Sequence, residues 1–382
     1  MKMFLRLIKH RTGIIFFAML TVLSAVCFCV SGRAMADDSA PIRLEADGSE
    51  PVRVEADGSD DGAGSGVDIG SGSRSGWYFA DSKAKYYDPA THRPYRNGKY
   101  EIGGRTIRFD RNGYALNYAS VGEGKMFRTI KAAVKALIEQ NPAIASSPAN
   151  ETIAYVDIFG GTYREGVNLQ KLAGGKKRSA SGIYFKGIGS VIWKSSADYP
   201  TGCLCGYGAI TVENISFYAD SKGSDPAYAY HYEAGNVRFP LSNPGVVFKR
   251  CSFRSAGNFA VGIGMGKKNS KVIFRNCTFT GARGGIYLHN SVYEGSKDNL
   301  LGFSGCSAGL VYIFDAARWY ADGISKLDLR FVNNEFRRLY LDCGNTGKNA
   351  GRAYRYIPKN YDNFDIVSSG GNLNKVFDRK GK

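Results

Sequence analysis

Histidine is scarce in this chain, acids are outnumbered, and long apolar runs are nearly absent. Four histidines occur in 382 residues, and past residue 118 they are His231 and His289. Neither has a cysteine or carboxylate at a metal-site spacing, so no metal and no cofactor is expected. The one long apolar run, IIFFAMLTVLSAVCFCV over 14–30, follows Lys2, Arg6, Lys9 and Arg11 and precedes Ala34-Met35-Ala36. A basic head, an apolar stretch and a small-x-small site describe a secretory signal peptide, 1–36. At 17 residues the run also reaches the lower edge of a bilayer span, so an uncleaved anchor is the other reading. No second run approaches that length, so no membrane span is expected after signal cleavage.

Residues 37–75 lack the apolar side chains needed to build a core. IRLEADGSEP at 42–51 is followed by VRVEADGSDD at 52–61, and then by GAGSGVDIGSGSRSG. Such a segment cannot offset the entropy of ordering its backbone, and it reads as a disordered acidic linker. Beyond it, 76–382 carries 43 bases and 24 acids, a net charge of +19. A surface of that sign favours acidic partners. Export makes nucleic acid an unsuitable partner. An acidic polysaccharide or a cell-wall glycan fits better, and a monomer is expected.

The segment 76–117 reads GWYFADSKAKYYDPATHRPYRNGKYEIGGRTIRFDRNGYALN. Closely spaced aromatics alternate with Gly-Gly and Asn-Gly, which predicts short hairpins with those pairs at the turns. The pattern resembles the choline- and glucan-binding repeats of Gram-positive surface proteins, where aromatics of successive hairpins cage the ligand. The resemblance implies localisation at such a cell surface. It also makes Trp77, Tyr78, Tyr86, Tyr87 and Tyr100 candidate glycan contacts. Equally, these rings suit a small aromatic core that packs against the next domain.

From 118 to 382 short strands alternate with glycine corners. Residues 121–141, VGEGKMFRTIKAAVKALIEQN, place Phe127, Ile130, Val134, Leu137 and Ile138 on one helical face. An internal repeat follows: VENISF (212–217), FKRCSF (248–253), FRNCTF (274–279), FSGCSA (303–308) and FVNNEF (331–336). Their offsets of 36, 26, 29 and 28 residues suit coils of a right-handed parallel β-helix, each stacked on the last at about 4.8 Å. The expected class is therefore all-β, with the helix as an N-terminal cap and a hairpin module before it. Phe217, Phe253, Phe279 and Phe336 should form one internal ladder. Cys251, Cys277 and Cys306 share another ladder position and suit an unbridged core stack, with one bridge between neighbouring coils left open. The pairing of Cys203, Cys205 and Cys343 is also open. The tail 347–382 should cover the solenoid's far end.

EGKMFRTIKAAVKAL, YVDIFGGTYREGVNL and ITVENISF together resemble the pectinesterase branch of the pectin-lyase-like β-helix proteins, over roughly 120–318. That resemblance implies a methyl-ester hydrolase with one nucleophilic aspartate and a second as acid and base. The family's middle motif, approximately C-x-F-x-G-Y-Q-D-T-L-Y, corresponds here to Cys277, Phe279, Gly281 and Tyr287. Arg283 stands at the Gln position and Gly284 at the Asp position. GLVYIFD at 309–315 stands where the family has G-T-V-D-F-I-F-G, with Tyr312 or nothing at the nucleophile. Pro226 stands at an upstream Gln. Glycine cannot shuttle a proton, so the two-aspartate mechanism does not carry over.

Other residues could use the same groove. AYAYHYE (227–233), FAVGIGM (259–265) and GIYLHNS (285–291) look like one strand on three coils. His231 and His289 would share a row about 10 Å apart, with Gly262 leaving a notch between them. Arg283 could clamp a carboxylate, with Asp315 and Glu233 as nearby bases; Asp298 and Asp322 are further acids within reach. Two function classes stay open. One is a secreted or surface glycan-binding β-helix protein. The other is a carbohydrate esterase or lyase with a rearranged site.

Overall fold

Two hairpins lead into the solenoid. The computed structural model describes residues 74–146, 152–175, 178–289, 298–313, 327–341 and 365–367, all within one unit, 56–382. Gly76–Ala80 pairs antiparallel with Lys83–Tyr87, and Gly98–Ile102 with Arg105–Phe109. Gly103 and Gly104 turn the second hairpin at φ 56° and 70°. The first turns on Asp81 and Ser82, at 50° and 59°. Both pairs have the positive φ that a two-residue hairpin loop demands. Asn112-Gly113 closes a separate turn, with the Gly113 and Tyr114 amides donating to Asp110.

The aromatics of this module fill a core of its own. Trp77 stacks on Tyr118 with ring centroids 4.0 Å apart, and Tyr95 stacks on Tyr100 at 4.1 Å. Around them lie Ala84, Ile107, Phe109, Ala115 and Met126, all buried. Tyr118 opens the first strand of the solenoid, Tyr118–Val121, so the small core and the large fold share a residue. An Arg105–Asp157 ion pair of 2.7 Å and the Tyr118 hydroxyl on the same carboxylate (3.0 Å) fasten the junction.

Helix Ile130–Gln140 caps the solenoid's first coil. Its apolar stripe buries Ile130, Ala133, Val134 and Leu137. Thr129 Oγ1 accepts from the Ala132 amide at 3.2 Å. Glu165, from the GTYREGV segment, accepts the amides of Ile130 at 2.7 Å and Lys131 at 2.9 Å. One carboxylate therefore satisfies two of the amides that a helix start leaves without partners, and it lies at the positive end of the helix dipole.

Each coil contributes strands to three parallel sheets. In the first, Ile183–Ser195, Ile210–Glu213, Val246–Lys249, Lys271–Arg275, Asn299–Ser304 and Leu327–Val332 stack in register. The register runs Val212, Phe248, Phe274, Phe303, Phe331. In the second, Phe217, Phe253 and Phe279 stack face to face, each pair 5.2 Å apart. Ala308 and then Phe336 continue that row. The two rows meet edge to face, as aromatic quadrupoles prefer.

One backbone feature repeats on every coil between these two sheets. The third residue of each repeat takes positive φ: Asn214 (57°), Arg250 (51°), Asn276 (53°), Gly305 (61°) and Asn333 (51°). A single left-handed residue turns the chain sharply, and Asn and Gly tolerate that conformation best. The next position points inward and holds Ile215, Cys251, Cys277, Cys306 and Asn334, all buried. Cys203, Cys205, Cys251, Cys277 and Cys306 are free thiols. Cys343 and, apart from 365–367, the tail 347–382 lie outside the described residues. Among the described residues no helix is long and apolar enough to cross a membrane.

Candidate functional site

The third sheet carries the site. Its strands Leu204–Cys205, Tyr230–Glu233, Phe259–Gly264, Gly284–Leu288 and the end of Ser307–Ile313 pair in parallel. Alternation sends Tyr230, Tyr232, Val261, Ile263, Ile286, Leu288, Val311 and Ile313 into the core. Their neighbours therefore face outward: His231 and Glu233, Gly262 and Gly264, Tyr287, and Tyr312.

The two histidines do not share a row. His231 pairs with Gly262, Gly262 with Tyr287, and Tyr287 with Tyr312. Leu288 pairs with Ile263, so His289 falls beside Gly264, whose partner on the previous coil is Glu233. The expected row was thus displaced by two residues, an even shift that keeps every side chain on its own face. Because Gly262 and Gly264 carry no side chains, His231, Glu233 and His289 meet across the intervening coil. His231 Nε2 lies 3.3 Å from His289 Nε2. Glu233 Oε2 lies 3.5 Å from His289 Nδ1 and 3.9 Å from His231 Nε2.

The notch expected over Gly262 is filled. A Cβ at Gly262 would meet the Tyr228 ring at 2.6 Å. Tyr228 enters from just before its strand and lies nearly parallel to both imidazoles, 5.2 Å from His231 and 6.3 Å from His289. Tyr199 covers His231 at 4.9 Å, and Cys205 Sγ lies 4.0 Å from His231 Nδ1. Burial pulls the His231 pKa down to about 3; the charge of His289 acts in the same direction, and a hydrogen bond with the Pro200 backbone opposes it. His231 is therefore neutral at pH 7. His289 and Glu233 are more open, with side-chain exposures of 12% and 32%.

His231 and His289 are 58 residues apart in the chain, a spacing that suggests no metal site. Folding gathers one donor atom each from His231, Glu233 and His289 within 4.8 Å of one another. Tyr199, Tyr228 and Cys205, which complete this pocket, were not singled out in the sequence. Tyr228 carried a signal all the same: it lies within the aromatic cluster AYAYHY.

Arg283 is elsewhere on the same strand connection. It is exposed, in the turn between Thr278–Gly281 and Gly284–Leu288, and its amide donates to the Asn258 carbonyl at 3.3 Å. The corner needs glycine at 281, since a Cβ there would strike the Gly284 and Asn258 carbonyls. Beside this turn lies a cleft of about 600 Å³. Gly281, Gly284, Gly285 and Gly309 are among its lining residues, with Thr278, Thr280, Ser307, Glu335 and Arg337 as the polar ones. From Gly284 to His289 is about 16 Å of extended chain.

Tyr312, at the position aligned with a pectinesterase nucleophile, stacks on Tyr287 at 5.2 Å. Asp298 is exposed at the start of its strand, while Asp315 and Asp322 lie outside the described residues. In the hairpin module Trp77, Tyr86 and Tyr100 are half-buried in its aromatic core. Tyr78 is 41% exposed, with the Arg74 guanidinium 4.5 Å from its ring and 5.8 Å from that of Tyr87.

No protein-family model matches the chain, and no curated protein matches it in sequence. Among solved structures, a pectin methylesterase from carrot is 14% identical, with 67% of this chain and 83% of that chain covered and a TM-score of 0.30. A pectin methylesterase in complex with hexasaccharide VII is 12% identical, over 59% of this chain and 78% of that one, with a TM-score of 0.28. The reading of the site rests on this chain's own residues.

Proposed function

We propose that this is a secreted or cell-surface glycan-binding β-helix protein that holds an acidic polysaccharide in the cleft beside Arg283. The observation that carries the reading is the cleft itself. Gly309 leaves open space at its wall, and its hydroxyls and charges suit the hydroxyl-rich edge of a sugar. A volume of about 600 Å³ falls in the range of ligand pockets. Arg337 lines it and offers a guanidinium to a uronate carboxylate, while Arg283 lies in the turn between two of its lining residues, Gly281 and Gly284. The net charge of +19 over 76–382 favours the same ligand class. Pectinesterase chemistry at the aligned positions is not part of the reading, because Gly284 and Tyr312 cannot replace two carboxylates.

The test is binding and turnover together. Polygalacturonate and its methyl ester are offered to the protein, with affinity and methanol release both measured. Saturable binding without methanol, weakened by Arg283→Ala and Arg337→Ala, is expected. Absence of binding to any acidic glycan on an array would sink the proposal. One observation favours a second reading: His289 lies beside the Glu233 carboxylate, the arrangement of an oriented general base. A lyase or esterase working there would release unsaturated sugars or acid, and replacing His289 would abolish it.

A further inference from the structure

We infer that His231, His289 and Glu233 form a binding site for one divalent transition-metal ion of the Zn²⁺ class. The distances support this. Two imidazole nitrogens each bonded to a tetrahedral zinc at about 2.05 Å stand roughly 3.3 Å apart. The two Nε2 atoms here are 3.3 Å apart. The Glu233 carboxylate lies alongside, with Oε2 3.9 Å from His231 Nε2. It closes the third position after a small side-chain rotation, to which its part exposure is no obstacle.

The surroundings are those of a prepared site. His231 and Glu233 are two residues apart on one strand, so both face the same side. The His289 amide donates to the Ile263 carbonyl at 2.9 Å, and Gln170 Nε2 donates to the Glu233 carbonyl at 3.1 Å, which fixes both backbones. His231 hydrogen-bonds the Pro200 backbone, as a metal-bound imidazole commonly does through its second nitrogen to set tautomer and ring angle. Tyr199 and Tyr228 pack on the same ring and hold its plane.

Ligand chemistry selects the ion. Two imidazoles and one carboxylate suit Zn²⁺ and its first-row neighbours, whereas Ca²⁺ and Mg²⁺ seek six or more oxygens. A centre with three protein ligands keeps a fourth position for water or a ligand oxygen. The Glu233 side is the open one. The ion does not require a glycan in the cleft, so either proposal can fail alone.

The experiment uses the full chain, stripped with a chelator and dialysed. Zn²⁺ is titrated by calorimetry, and Co²⁺ is followed through its visible d–d absorption. Expected are one ion per chain, the strong bands of four-coordinate Co²⁺, and a higher Tm with metal. His289→Ala and Glu233→Gln should each weaken binding at least about tenfold, while His92→Ala should leave it unchanged. Both test residues are partly exposed; should His289→Ala fail to fold, Glu233→Gln decides. Absence of saturable binding, or binding unaltered in Glu233→Gln, overturns the inference.

Discussion

His231 and His289 face each other through their Nε2 atoms at 3.3 Å although 58 residues separate them in the chain. Two glycines on the intervening coil make that contact available, and Tyr228 occupies the space above one of them. Of the three side chains Glu233 is the most exposed, 32% against 12% at His289 and 1% at His231.

Gly262→Ala tests that arrangement. The new Cβ would meet the Tyr228 ring at 2.6 Å, and both residues are buried. Overpacking of this kind costs about 1–3 kcal/mol, so urea unfolding should show a loss in that range. The same substitution in a Tyr228→Ala background should cost much less. Equal costs in both backgrounds would mean that Tyr228 does not fill the space.

The solenoid was legible because each coil repeats its predecessor, so FKRCSF and FRNCTF reveal stacking without any knowledge of the loops. Phe217, Phe253, Phe279 and Phe336 fall on one row for that reason. The left-handed corner was written in the same repeat, as Asn214, Asn276, Gly305 and Asn333, and the Asn and Gly at position three were its signal. The site was harder. A two-residue slip in a strand keeps inward and outward residues correct, so the sequence pattern alone could not choose between rows for His289. Filling of the Gly262 notch depends on where Tyr228 enters, and no local propensity encodes that. The cleft beside Arg283 draws Thr278, Ser307 and Glu335 from three coils, visible only once the register is known.

Position three of the repeat gives a second prediction. Asn276 sits at φ 53°, where its short polar side chain offsets the left-handed strain by local hydrogen bonding and alanine, with the same Cβ, cannot, leaving up to about 1–2 kcal/mol uncompensated. Asn276→Ala should lower stability by that amount, and Asn276→Gly by less. Thermal unfolding of the pair checks it, and the reverse order would refute the strain argument.

Acid should weaken a specific bridge between coils. Lys194 Nζ lies 3.0 Å and Arg164 Nη1 3.5 Å from Asp220 Oδ2. Burial alone would raise the Asp220 pKa, but the hydrogen bond and charge of Lys194, with the charge of Arg164, hold it below the ordinary aspartate value. A carboxylate whose folded pKa is depressed releases its proton more readily in the folded state. Its contribution is present above the unfolded pKa and is lost as pH falls through the folded one. Asp220→Asn should therefore flatten the acid limb of the stability curve below about pH 4. An unchanged acid limb would assign that loss to other groups.

The cysteine stack should be chemically silent in the folded protein. Cys251, Cys277 and Cys306 sit on successive coils, each fully enclosed. The Cys277 thiol donates to the carbonyls of Arg275 at 3.2 Å and Phe248 at 3.7 Å. Burial, together with the neighbouring Cys251 thiol, pushes its pKa well above that of an ordinary thiol. Only the thiolate attacks an alkylating reagent, and an ordinary cysteine supplies it near pH 8.5. At that pH the native chain should take up iodoacetamide at none of these three positions, while the same chain in denaturant should be modified at all three. Peptide masses after non-reducing digestion should show each as a free thiol, even in protein recovered from an oxidising medium. Here the deciding factor is access rather than redox potential, because the neighbouring thiols are enclosed in the core and no oxidant reaches them without unfolding. Rapid native alkylation of Cys277, or a linked peptide joining Cys251 to Cys277 or Cys277 to Cys306, would show that the core opens there.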